Sequence, residues 1–235
     1  MPRHAQVNNI DHKDLRIDTR RSAQLGDDVG FAATFPAEFR DLQAYYPIVF
    51  RKDTHGVLSP VALLGFEEGR NLFLDGERWD AHYLPLAIER QPFLIGRGGD
   101  ELTVHIDLDS PRVGNVEGQP LFREHGGNTE FLDRIASVLL TLHNGLERVP
   151  AFVDALLALD LIESFALDVE LDDGSFNRLA GYYTINEDRL RGLDATALGR
   201  LHASGYLEPI FMAVASISNF RSLIDRMNRS RAGGR

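Results

Sequence analysis

The chain has 235 residues, 35 acidic and 25 basic, for a formal net charge of −10, and it contains no cysteine. The acidic balance argues against a nucleic-acid-binding surface. Without cysteine there is no disulfide, thiolate zinc site, iron–sulfur cluster or cysteine nucleophile. At this length, with 43% apolar residues, the chain is expected to bury a core in one or two domains. We find no secretory signal pattern and no window apolar enough to span a membrane, so a cytoplasmic location is expected.

The N-terminal half reads as an arm followed by strands. Residues 1–27 are polar and without sustained periodicity, which predicts an extended arm that wraps its own domain or reaches a partner. Beyond it, short apolar runs bounded by turn formers are typical of antiparallel strands. The predicted strands cover residues 46–50, 61–66, 71–74, 93–96 and 102–108, with a short helix at 81–90 and a loop at 109–128.

The C-terminal half reads as helices around one hairpin. Alternation of Phe165, Leu167, Val169 and Leu171 with polar residues predicts a β-hairpin over 165–185. Apolar stripes and capping residues predict helices at 129–146, 150–159, 194–202 and 208–228.

No linker or repeat divides the chain. We therefore predict one α+β domain over 28–228, in which an antiparallel, strand-rich N-terminal half packs with C-terminal helices and the hairpin. A disordered basic tail is expected at 229–235.

One strand carries the pattern of a metal site. His105 and Asp107 lie two residues apart, so both side chains project from the same strand face. With a distant histidine they would form the facial triad that holds iron(II), or another divalent metal, in non-haem oxygenases. His125 fits best as the third ligand, with His143 and His202 as alternatives. The other interpretation is a polar sheet face with a hydrogen-bonded histidine.

Other catalytic patterns are missing. Asp107 and Asp109 project to one side, which is the wrong geometry for a glycosidase pair, and Arg112 reads as a charge partner. There is no nucleophile elbow, phosphate-binding loop, zinc-protease helix or dinucleotide fingerprint. We therefore assign no catalytic residue and favour a protein that is not an enzyme and needs no cofactor.

An aromatic and basic segment offers a candidate ligand site. Trp79, His82, Tyr83 and Arg90 combine flat apolar surfaces with polar tips, which suits a shallow site for a sugar or a peptide. The alternative is that Trp79 and Tyr83 simply pack at a sheet edge.

Six motifs occur in order along the chain: Tyr46-Pro47-Ile48-Val49-Phe50, Pro60-Val61-Ala62-Leu63-Leu64-Gly65, Arg78-Trp79-Asp80-Ala81, Gln91-Pro92-Phe93, Leu171-Asp172-Asp173-Gly174 and Gly181-Tyr182-Tyr183-Thr184-Ile185. In their order and spacing they resemble the SapC family of bacterial proteins, and the resemblance extends from about His12 to Met227.

The resemblance implies an association with bacterial envelope, surface-layer or uptake systems, and it carries over no catalytic residue. We therefore expect a non-catalytic binding or accessory protein with a protein, peptide or glycan partner, and no nucleic acid. The alternative is the His/Asp metal-dependent enzyme, and a third interpretation is a structural surface-layer component.

Overall fold

The structure is a computed structural model that describes residues 3–98 and 101–233. Its strands, in chain order, are β1 His4–Gln6, β2 Arg16–Ile17, β3 Phe31–Ala33, β4 Ile48–Lys52, β5 Leu58–Leu63, β6 Leu74–Asp75, β7 Arg78–Trp79, β8 Phe93–Gly98, β9 Glu101–Asp107, β10 Val113–Gly114, β11 Gln119–Pro120, β12 Ile162–Glu170 and β13 Phe176–Ile185. Its α-helices are α1 Phe39–Leu42, α2 Leu86–Glu89, α3 Glu130–Glu147, α4 Val149–Leu157, α5 Glu187–Arg191, α6 Ala195–Ala203, α7 Leu207–Ser216 and α8 Phe220–Gly233.

The chain forms two compact units. The first unit consists of the described residues within Met1–Asp28, Leu74–Asp80 and Leu86–Asn144. The second unit consists of the described residues within Val29–Phe73, Ala81–Pro85 and Gly145–Arg235. Antiparallel sheets and several C-terminal helices confirm the predicted α+β class.

The first unit is built from short sheets over an amphipathic helix. Its sheets have the strand orders β1–β9–β8, β10–β2–β11 and β6–β7. Leucine and isoleucine recur at helical spacing in α3, and this apolar stripe packs against residues of β2, β8 and β9. The buried core consists of Ile17, Phe93, Ile106, Leu121, Leu132, Ile135 and Leu139.

The predicted N-terminal arm contributes strands to this unit. In β1, His4 pairs with Asp107 and Gln6 pairs with His105 on β9. Strand β2 lies between β10 and β11, and its Ile17 is completely buried. Residues 3–28 therefore belong to the first unit and supply one strand to each of two of its sheets.

The second unit is a five-stranded antiparallel sheet with helices. The strand order is β12–β13–β4–β5–β3, and the predicted hairpin forms its first two strands. Phe152 of α4 lies at the centre of an aromatic core, with ring centroids 6.1 Å from Phe39, 6.4 Å from Phe50 and 5.3 Å from Tyr206. Aromatic pairs at such distances add to the stability given by burial.

Three sequence predictions need correction. Residues 71–73 form a turn, because Asn71 Oδ1 accepts a hydrogen bond from the backbone N–H of Phe73 at 2.9 Å. The helix predicted at 81–90 is reduced to α2. The helix predicted at 208–228 is interrupted by a 3-10 turn at Ile217–Asn219.

The predicted disordered tail begins inside α8, whose helical residues reach position 233. Arg231 anchors this end, since its guanidinium donates to Ser175 Oγ at 2.5 Å and lies 3.5 Å from Asp173. Residues 234 and 235 lie outside the described residues. Within residues 3–98 and 101–233, no helix is both long and apolar enough to cross a membrane.

Candidate functional site

An open groove of about 720 Å³ lies within the second unit. One wall is formed by α4 and by Leu146 near the end of α3. The other is formed by β3, the end of β4, β5 and the turn between β4 and β5. Most of the lining is apolar, including Phe31, Val61 and Val153. A volume of this size falls within the range of small-molecule sites.

Three large apolar side chains of the groove face solvent. Val57 is 56% exposed, Leu157 is 49% exposed and Leu146 is 38% exposed. Val57 lies on the strand wall, whereas the two leucines lie on the helix wall. An exposed apolar patch that lines a concavity is typical of a surface that binds a ligand or partner.

Two cations lie at the strand side of the groove. The guanidinium of Arg51 is 4.7 Å from the ring centroid of Phe31, and Lys52 Nζ is 4.9 Å from that of Tyr183. Both contacts have cation–π geometry. Neither cation forms an ion pair with a carboxylate in the part of the chain that the structure describes.

Two carboxylates also line the groove. Asp53 Oδ1 accepts hydrogen bonds from the backbone N–H groups of His55 and Val57, each at 2.8 Å, and so shapes the turn. Asp154 lies on α4 and is exposed. Chemically, the groove can therefore hold an apolar body and place an anionic group beside Arg51 and Lys52.

The predicted aromatic site is divided between the units. Trp79 and Arg90 belong to the first unit, and His82 and Tyr83 belong to the second. Arg90 is engaged locally, since its Nη1 donates to the carbonyl oxygen of Phe93 at 2.7 Å. Burial lowers the pKa of the Arg90 guanidinium. Trp79 pairs with Leu74 across the two-stranded sheet and is partly exposed.

Tyr83 has a structural partner. Its hydroxyl donates to Oε1 of the buried Glu38 at 3.1 Å, and its carbonyl oxygen accepts from the hydroxyl of Tyr46. His82 is exposed, with its ring centroid 6.2 Å from that of Tyr45. A joint ligand site of Trp79, His82, Tyr83 and Arg90 therefore stays a prediction.

The predicted metal ligands His105, Asp107 and His125 lie in the first unit, as does the alternative His143, whereas the alternative His202 lies in the second unit. His105 Nε2 is 3.1 Å from Thr103 Oγ1, and its ring covers Gly96 so closely that a Cβ there would lie 2.4 Å from the imidazole. Asp107 Oδ1 accepts from the backbone N–H of Asp109 at 3.1 Å, and His125 sits in an exposed loop. No group of three or more His, Asp or Glu residues that could hold a metal ion occurs among the described residues. The iron hypothesis stays a prediction to which this geometry adds nothing.

Sequence reasoning did not find the groove. One signal was available in α4, where Val149, Phe152, Val153 and Leu156 already complete a buried stripe. Leu157 falls outside that stripe, and an additional apolar residue on a short helix can indicate a second contact surface.

Comparison with known proteins gives one match. A family model described as SapC matches residues 7–223. No curated protein matches the chain, and no solved structure matches it.

Proposed function

The chain belongs to the SapC family, and we propose that it acts as a non-catalytic binding protein whose groove holds an apolar peptide segment bearing a carboxylate. The observation that carries the proposal is the groove itself, with solvent-facing Val57, Leu146 and Leu157 beside Arg51 and Lys52. The apolar lining favours a peptide over a glycan, because sugars require many polar partners.

The proposed setting is the cytoplasm, where the protein would assist a bacterial envelope, surface-layer or uptake system. Its support is the resemblance to the family. The proposed peptide would then be a segment of a protein from such a system, held through apolar side chains and one ion pair. An apolar anchor supplies most of the affinity in such complexes, and a charge at the rim contributes to orientation.

Nile red, a neutral apolar dye whose fluorescence rises on leaving water, tests the apolar part of the groove. Leu157→Asp changes the helix wall and Val57→Asp changes the strand wall, and both residues are at least 49% exposed. We expect each variant to weaken dye binding roughly tenfold, since a carboxylate in an apolar site must be desolvated.

Leu140→Asp is the matched control, because Leu140 is 48% exposed on α3 and does not line the groove. It is expected to bind the dye like the unaltered protein. Thermal unfolding of all variants checks that the fold is retained. Dye binding that survives both groove variants, or that falls equally in Leu140→Asp, would contradict the proposal.

A further inference from the structure

The outer side of β12 is an open sheet edge. This strand has nine residues and pairs with β13 on one side only. No residue of Ile162–Glu170 forms a backbone hydrogen bond with a described residue outside β13. An edge strand of this length presents a row of N–H and C=O groups to which another chain can pair.

The hydrogen bonds at the two ends of the hairpin show which groups point outward. Near the tip, the N–H of Leu171 donates to Ser175 at 2.9 Å, and at the other end the carbonyl oxygen of Leu161 accepts from Asn186 at 2.9 Å. Residues alternate between bonded and non-bonded positions in an antiparallel pair. Counting residues inward from both ends therefore shows that the N–H groups of Ser164, Asp168 and Glu170 point away from β13. Ser164 lies before the register shift between Phe165 and Leu167, and the other two residues lie after it.

The charges on this strand are all of one sign. β12 carries Glu163, Asp168 and Glu170, all exposed, and no basic residue. Asp168 lies 3.6 Å from Arg178 on β13. Glu163 and Glu170 form no ion pair with any residue that the structure describes.

These charges discriminate between occupants of the edge. A second copy of this chain pairing through β12 would bring carboxylates against carboxylates, which destabilises a strand pair. A segment carrying lysine or arginine would instead meet charges that lack partners. The combination of open backbone and acidic side chains therefore selects a basic partner over a second copy.

We propose that β12 accepts an extended, lysine- or arginine-bearing segment of a partner polypeptide as an added strand of the sheet. Main-chain hydrogen bonds supply affinity in this mode of recognition, and the side chains supply specificity. This edge shares no residue with the groove, so the two proposals stand or fall separately.

The first experiment uses two short capped peptides, one alternating lysine with valine and one alternating glutamate with valine. We expect binding of the lysine peptide only, weakening as salt is raised. Amide hydrogen exchange should slow at Ser164, Asp168 and Glu170 when the lysine peptide is bound. Failure of the lysine peptide to bind, or protection confined to other segments, would overturn the proposal.

The second experiment separates strand addition from simple charge attraction. Ser164→Pro removes one outward N–H without removing a bond to β13, whereas Ser164→Ala keeps that N–H. We expect the proline variant to bind the lysine peptide roughly tenfold more weakly and the alanine variant to bind it normally. Equal binding by both variants would overturn the proposal. If the proline variant does not fold, amide hydrogen exchange of the unaltered protein with the lysine peptide tests the proposal in its place.

The third experiment tests the charges. Glu163→Gln with Glu170→Gln should weaken binding severalfold and reduce its salt dependence. Glu117→Gln with Glu124→Gln changes the net charge equally at exposed positions of the first unit and should have little effect. Equal weakening by the two pairs, or self-association of the chain through protected β12 amides, would count against the proposed partner.

Discussion

The guanidinium of Arg112 lies 2.5 Å from the carboxylate of Asp27, and the exposed fractions of the two side chains are 1% and 0%. The other terminal nitrogen of Arg112 donates to the carbonyl oxygens of Asp18 at 3.0 Å and Arg20 at 2.8 Å. One arginine therefore holds residues 18–27 in the first unit. The charge partner predicted for Arg112 near positions 107 and 109 is instead found in the N-terminal segment.

Arg112→Ala should destabilise the first unit by about 3–5 kcal/mol, because it leaves the Asp27 carboxylate buried without its main cation. Urea unfolding followed by circular dichroism measures this loss. Arg78→Ala is the matched control, since Arg78 lies 2.8 Å from Asp75 with both side chains exposed. It should cost at most about 1 kcal/mol. Similar losses of stability in the two variants would show that the buried Arg112–Asp27 pair does not hold residues 18–27 in place.

Asp18 contributes a stabilisation of the fold that is lost at acid pH. Hydrogen bonds from Arg20 hold the pKa of Asp18 below its ordinary value of 3.8. Since the unfolded chain has the ordinary pKa, this stabilisation is complete above about pH 5 and is lost as the pH falls through the lower folded-state pKa.

Asp18→Asn should therefore lower stability near neutral pH and flatten its decline in acid. Urea unfolding at a series of pH values measures both effects. Asp14→Asn is the control, because Asp14 is exposed and forms no hydrogen bond or ion pair with a described residue. If the stability of Asp18→Asn falls with acid pH in the same way as that of the unaltered protein, Asp18 does not cause the loss of stability in acid.

In the second unit, Tyr83→Phe removes the hydroxyl that donates to buried Glu38 at 3.1 Å. We expect a loss of about 1–3 kcal/mol, because a buried acceptor loses a donor that water cannot readily replace. Tyr45→Phe is the control, since the Tyr45 hydroxyl forms no hydrogen bond with a described residue. It should change stability by less than about 0.5 kcal/mol. Thermal unfolding compares the two, and equal midpoints would exclude a role for the Tyr83 hydroxyl.

Elements with a local pattern were predictable from the sequence. The β12–β13 hairpin and α3 were found because alternation and helical spacing are written into consecutive residues. Strand β2 was missed because two residues carry no period, and its partners β10 and β11 lie about a hundred residues away in the chain. The role of Ser216 was likewise not predictable from the sequence. Its hydroxyl accepts a hydrogen bond from the N–H of Ile48 at 2.8 Å, and no local sequence pattern indicates so distant a contact.

The candidate sites were harder to predict, because a site depends on which distant segments meet. Trp79 and Tyr83 are near neighbours in sequence, yet they belong to different units. The groove joins α4 to strands that precede it by about ninety residues or more. His105 and Trp79 were predicted as site residues because their side chains can bind a metal or a ligand. The groove is instead lined mostly by apolar residues such as valine and leucine, and the sequence alone assigns such residues to the core.

Two glycines in helices should respond oppositely to alanine. A Cβ at Gly145 would lie 2.3 Å from Phe35 Cδ2, whereas a Cβ at Gly199 of α6 meets no atom within 4 Å. Gly145→Ala should cost about 1–3 kcal/mol through overpacking, which exceeds the gain in helix propensity. Gly199→Ala should stabilise by up to about 1 kcal/mol. Denaturant unfolding measures both, and stabilisation by Gly145→Ala would show that Phe35 moves aside freely.

The cations of the groove give the last prediction. 8-Anilinonaphthalene-1-sulfonate is apolar and anionic, whereas Nile red is apolar and neutral. Arg51→Gln with Lys52→Gln should weaken the anionic dye roughly three- to tenfold and leave Nile red nearly unchanged, because only the anion uses these charges.

The control for this prediction changes the charge of the second unit without changing the groove. Arg200→Gln with Arg221→Gln removes two exposed cations that do not line it. Affinity for both dyes should then stay the same. Equal weakening of the anionic dye by both double variants would mean that it senses net charge. Weakening of Nile red by the Arg51 and Lys52 changes would mean that these residues act by shaping the apolar wall, since a neutral dye has no charge for them to attract.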